Sequence, residues 1–177
     1  MPRGGATPLG ALGYVRASAE LAAQLAGPGE IPAALWLATG SCGTQAGLVA
    51  GAAMIAASAG TCWQVTGVTV SRPADEARDR VRALASAAAG LAGLDVPLTE
   101  PDVRDGWIGP GYGVPSEAGE AAARLVAVTE GVFLDPVFGA KAMAALIAAC
   151  RAGQARGPQV FLVSGGAPTL FAGKAGL

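Results

Sequence analysis

The chain has 177 residues, 52% of them hydrophobic and 14% charged, with 12 basic against 13 acidic side chains and a formal net charge of −1. This length supports one domain with a sizeable core. The apolar content excludes a disordered chain, and the charge balance excludes a nucleic-acid footprint or a membrane-surface patch. Histidine is absent, which excludes Ser-His-Asp and Cys-His catalysis and the common histidine metal sites. Cys42, Cys62 and Cys150 lack metal-ligand spacing and read as free thiols of a reducing compartment.

In chain order, the first twelve residues show no signal-peptide pattern, so the expected location is cytoplasmic. Thr7-Pro8 reads as a helix N-cap followed by proline at the first helical position. Leu9, Leu12, Val15, Leu21 and Leu25 then fall near helical spacing, and Gly27-Pro28-Gly29 ends the helix. Residues 31–38 read as a buried strand and 44–59 as a buried helix of small residues. Glycine and polar residues interrupt this apolar region, so it is not a membrane span. Gln64 to Val70 reads as a strand, Ser71-Arg72-Pro73 as a turn, and Ala74 to Leu91 as a helix with Val81, Leu84 and Ala88 inward. Arg72, Arg78, Arg80 and Arg82 cluster there, interleaved with Asp75, Glu76 and Asp79, and read as a solvated helix face. An irregular stretch, 93–115, holds a short strand near Asp102–Val103. A helix over 117–129 capped by Ser116, a short strand at Val132–Leu134, a helix over 140–150 and a strand over 160–163 complete the chain. Alternating strands and helices predict a parallel α/β sheet with ligands beyond the carboxyl ends of the strands. The loops 39–44, 106–115, 135–139 and 164–168 are candidates for one shared site.

The segment Thr39-Gly40-Ser41-Cys42-Gly43-Thr44 stands between a strand and a helix start. Glycines allow close backbone approach to an anion, and the free amides and dipole of the first helical turn favour negative charge. The hydroxyls of Thr39, Ser41 and Thr44 add donors. No lysine follows the loop and GxGxxG is missing, so a small phosphate monoester is the better guest than a nucleotide. The alternative is a glycine-rich turn that binds nothing.

Six segments carry a family resemblance: GALGYV (10–15), ATGSCGTQAGL (38–48), GVTVSR (67–72), GPGYGVPSEAG (109–119), EGVFLDPVFGAKAMAALI (130–147) and SGGAPTLFA (164–172). In register, they resemble the C-terminal part of the pyridoxal-phosphate enzymes that include D-cysteine desulfhydrase and 1-aminocyclopropane-1-carboxylate deaminase. The VTVSR and GGAPTLFA segments fit the desulfhydrase side better. The resemblance implies a three-layer parallel sheet of the tryptophan synthase β-subunit type (fold type II). Residues 1–177 would form one domain, most of that fold's larger one. It implies pyridoxal 5'-phosphate as cofactor, with Thr39, Gly40, Ser41, Cys42, Gly43 and Thr44 at its phosphate and Phe138, Gly139 and Gly165 completing the cofactor set. Tyr112 matches a tyrosine close to the substrate, where a phenol can bond a carboxylate or relay a proton. Its alternative is a loop tyrosine packed beside Trp107.

The departures from the family are specific. Its Schiff-base lysine lies N-terminal to the matched segments, whereas Lys141 matches a different lysine at a helix start and Lys174 lies near the end. A tyrosine and a Glu or Thr of the family are Phe138 and Gly139 here. The expected activity is elimination from a small amino acid such as D-cysteine, giving a keto acid and ammonia with sulfide. The expected partners are that substrate and either further copies of this chain or a lysine-bearing chain, with no nucleic acid and no membrane. A non-catalytic phosphate-binding or partner-binding module is the alternative, and a fragment with exposed apolar sheet is a third reading.

Overall fold

The computed structural model describes residues 3–26 and 32–171. The expected Gly27-Pro28-Gly29 helix stop, the first residue of the expected 31–38 strand and Lys174 lie outside them.

The strand β1 (Ala34–Thr39) is buried on both sides, which explains why its sequence is apolar throughout rather than alternating. Leu35 and Leu37 join a cluster with Leu48, Val49, Val81 and Val103. Trp36 faces the opposite layer, with Ala142, Ala145 and Leu146. Around β1 runs a parallel sheet of order β3-β2-β1-β4, where β2 is Gln64–Thr69, β3 is Asp102–Arg104 and β4 is Gln159–Leu162. The helices α1 (Pro8–Leu25), α2 (Gly43–Ala59) and α3 (Ala74–Leu91) cover one face. On the other, α5 (Gly139–Arg151) packs on the sheet and α4 (Glu117–Glu130) packs on α5. A single turn, α6 (Ala167–Leu170), follows β4. This is the expected three-layer α/β architecture. Among the described residues no helix is long and apolar enough to cross a membrane.

Small residues set the α1–α2 contact. An added Cβ at Gly47 would lie 2.2 Å from the Ala11 carbonyl oxygen, and at Gly51 2.4 Å from Ser18 Oγ. The two backbones therefore meet where side chains are minimal, and α1 buries Ala11, Val15 and Ser18. Leu9, expected on the apolar stripe, is 72% exposed because the close-approach face is rotated away from it. The caps agree with the sequence: Thr7 Oγ1 accepts from Gly10 N at 3.0 Å and Ser116 Oγ from Gly119 N at 3.2 Å.

The expected strand at Val132–Leu134 does not form. Gly131 closes α4 in the left-handed conformation (φ 68°), and by Asp135 the chain is already tied to the start of α5. Three apolar residues between two such anchors have no ladder partner, and Val132 and Phe133 face solvent.

Candidate functional site

The register pairs Thr39 with Thr69, so β1 and β2 end level and their following loops lie side by side. The carboxyl ends of β1, β2 and β4 and the start of α5 enclose a cavity of about 420 Å³. Thr39, Gly40, Ser41, Cys42 and Thr44 contribute to its lining, with Phe138, Gly139, Gly165 and Tyr112 from three other loops. The four predicted loops therefore do converge. Gly43 is the exception among the expected residues. It is packed against the 3–6 segment instead, where an added Cβ would lie 3.1 Å from Ala6 Cα.

The turn into α2 depends on Cys42, which has φ 75° as the helix N-cap. A non-glycine residue in this region costs about 1 kcal/mol or more. Left-handed Cys42 followed by helical Gly43 is an alternation of the kind that turns successive amides to one side. The Cys42 carbonyl accepts from Ala46 N at 3.0 Å, which leaves the amides of Gly43, Thr44 and Gln45 as the unpaired donors of the first turn. Burial pushes the Cys42 thiol up, against the opposing pull of Arg72, so the sulfur is protonated at neutral pH and is no nucleophile. Thr39 is buried in the same wall, where its hydroxyl lies against the Cys42 sulfur.

The cluster is solvated as expected, with Arg80 exposed and Arg72 paired to Glu76 at i,i+4, but Arg72 and Arg80 also reach the loop after β1. Arg72 Nε donates to Gly40 O at 3.1 Å and its Nη1 to Glu76 Oε1 at 2.7 Å. Arg80 Nε donates to Ser41 O at 3.1 Å. Both line the cavity, and no acidic side chain among the described residues does so. Arg78 and Arg82 do not line the cavity, and Arg82 pairs with Asp79 and Glu100 away from it. The available signal was the parallel order itself, which sets Ser71-Arg72 beside the loop after β1.

Two buried ionisable groups hold the remaining walls. Asp135 is 4% exposed and accepts from the amides of Val137, Phe138 and Gly139 at 3.0, 2.8 and 2.7 Å, capping α5. It also accepts from Thr169 Oγ1 at 3.0 Å, which ties α6 to the same point. Gly139 turns towards this carboxylate, since an added Cβ would lie 3.1 Å from Asp135 Oδ1. Lys141 is fully buried, and its Nζ donates to Ile108 O at 2.6 Å and Gly111 O at 3.1 Å. Burial holds its amine below the usual lysine range. It fastens the loop bearing Tyr112, whose ring meets Phe138 edge-on at 6.3 Å between centroids. The expected alternative neighbour, Trp107, packs instead against the α5 cluster.

The donor set fits a phosphate ester. It combines the first-turn amides of α2, the Ser41 and Thr44 hydroxyls and two guanidiniums, with no carboxylate lining the cavity among the described residues.

The family profile described as "Pyridoxal-phosphate dependent enzyme" matches residues 1–165. D-cysteine desulfhydrase of Yersinia pestis (strain Pestoides F) is 43% identical over 174 residues, covering 97% of this chain and 51% of that protein. The Klebsiella pneumoniae (strain 342) protein of the same name is 41% identical over the same share. Among solved structures, an ACC deaminase homologue superposes with a TM-score of 0.84 at 32% identity, over 96% of this chain and 49% of its own. A T.th. threonine deaminase shares the fold, with a TM-score of 0.55 at 22% identity over 88% of this chain and 57% of its own. The chain spans about half the length of the curated relatives it matches. From Met1 to Gly165, through the phosphate-type loop and the cavity walls, the chain belongs to the pyridoxal-phosphate dependent enzyme family.

Proposed function

We propose that this chain binds pyridoxal 5'-phosphate in the β1–α2 cavity and forms the cofactor-holding part of an enzyme that deaminates a small amino acid such as D-cysteine. The observation that carries the reading is the meeting of a free helix N-terminus with Arg72 and Arg80 in one cavity at the strand ends. When bound, the cofactor supplies an electron sink for negative charge developing at the substrate Cα. Ser41, Thr44 and the amides of α2's first turn would hold its phosphate, with Thr39 supporting the wall behind them. Tyr112, half exposed and braced edge-on by Phe138, would bond the substrate carboxylate or hold a proton at its phenolic oxygen. Phe138 holds no proton, and Gly139 brings no side chain to the cofactor ring.

A second reading, a non-catalytic pyridoxal-phosphate or partner-binding module, is favoured by Lys141. Its amine is buried and committed to two carbonyls, so it is not free to attack a carbonyl substrate. Under the first reading the reactive lysine comes from elsewhere, in a lysine-bearing partner chain or a longer form of this protein.

Thermal unfolding with and without pyridoxal phosphate tests both. At a hundredfold excess over Kd the stabilisation is about 2.7 kcal/mol, a rise of about 5–10 °C in Tm for a chain of this size. Keto acid formed from D-cysteine once a lysine-bearing half is added supports the first reading. A Tm rise without keto acid in any mixture supports the second, and no rise sinks the first reading and the cofactor-binding form of the second.

A further inference from the structure

Ser41 and Gly40 present their carbonyls to two arginines, and those arginines are the only charged side chains among the described residues lining the cavity. We propose that Arg72 and Arg80 are the specificity residues of this cavity, locking its loop and selecting a doubly charged phosphate ester over a singly charged anion. The inference rests on the phosphate reading above and goes further, because it names what discriminates between anions.

Arg72, Glu76 and Arg80 fall at intervals of four, so one face of α3 and its lead-in looks at the β1–α2 loop. In a trans peptide unit the carbonyl and the following amide point opposite ways. Binding Gly40 O to Arg72 therefore fixes the direction of the Ser41 amide, and binding Ser41 O to Arg80 fixes that of Cys42. Without these bonds either peptide unit of the glycine loop is free to rotate. Ser71 Oγ, 3.4 Å from Gly40 O, adds to the restraint. Each guanidinium uses its Nε on the loop, and one Arg72 nitrogen goes to Glu76, which is 60% exposed. The rest of each fork remains available to a ligand, in the planar geometry that suits phosphate. Arg82, on the same helix, is engaged with Asp79 and Glu100 and does not line the cavity, so it is a built-in control.

Methyl phosphate and methyl sulfate separate the two roles, since they are of similar size and differ by one charge above the second phosphate pKa of about 6. Calorimetric titration at pH 7.5 should show the wild-type chain preferring methyl phosphate by about tenfold or more. R72Q and R80Q should each lose about tenfold for methyl phosphate and much less for methyl sulfate, while R82Q binds both as wild type does. R72K and R80K, which keep a charge but lose the fork, should retain the dianion preference at reduced affinity. Unliganded Tm for each variant separates loop binding from folding. Equal binding by the Gln variants and wild type overturns the inference, as does an equal loss for both anions, which would mean a structural role only. If wild type binds pyridoxal phosphate and lacks the preference, the inference falls while the cofactor reading stands. If wild type binds neither pyridoxal phosphate nor methyl phosphate, both fall.

Discussion

Asp135→Ala should destabilise the chain by about 3–5 kcal/mol, the range for breaking a buried hydrogen-bond network. The carboxylate is 4% exposed and is the common acceptor for three successive amides and the Thr169 hydroxyl. Alanine leaves the three amides without that partner and removes the cap of α5 at once, while the Thr169 hydroxyl keeps the Gly166 carbonyl at 2.8 Å. Individual bonds to a charged acceptor contribute about 1.5–3 kcal/mol, but the sum is not additive because the freed amides regain some water. The damage extends to the cavity, since Phe138, Gly139 and Gly166 are all placed by this side chain. An added Cβ at Gly166 would lie 2.4 Å from Asp135 Cγ, so its backbone rests directly on the carboxylate. Asp135→Asn keeps one acceptor oxygen and should cost about half as much. Urea unfolding of the two variants measures this, and a loss below about 1 kcal/mol for alanine would show that the network is not the anchor.

Thr44→Asp should separate binding from stability in opposite directions. Position 44 is the second residue of α2 and lines the cavity. A carboxylate in the first turn interacts favourably with the helix dipole and should leave stability unchanged or raise it by about 0.3–1 kcal/mol. The same carboxylate faces any bound phosphate, and like charges a few ångströms apart should cost about a hundredfold or more in affinity. Equilibrium binding of pyridoxal phosphate beside thermal unfolding reads both effects. Unchanged affinity would place the anion elsewhere. Gly43 is the wrong place for this charge, because its substituent would press on Ala6 rather than enter the cavity.

Much of the architecture was legible because the local signals agree with one another. The apolar 34–38 run, the glycine-serine turn and the small-residue helix gave β1, its loop and α2. Thr7 and Ser116 marked their helix starts by cap chemistry alone. The convergence of four distant loops followed from parallel order. The remainder depended on partners distant in sequence. Arg72 and Arg80 look like members of a charged surface helix until β1 and β2 are paired, which sets them against Gly40 and Ser41. Lys141 reveals its role only when Ile108 and Gly111 are folded over it. Asp135 sits in an apolar stretch that resembles a strand, and its capping role appears only when α5 and α6 meet there. Periodicity alone places Leu9 inward, because it carries no knowledge of the Gly47–Gly51 face that rotates α1.

The most direct measurement is an amide NMR titration of the chain with pyridoxal phosphate. The account predicts saturable shifts concentrated at the amides of Ser41 to Gln45, with smaller ones at Phe138, Gly139 and Gly165. Shifts confined to other surfaces, or none at those five amides, would contradict it.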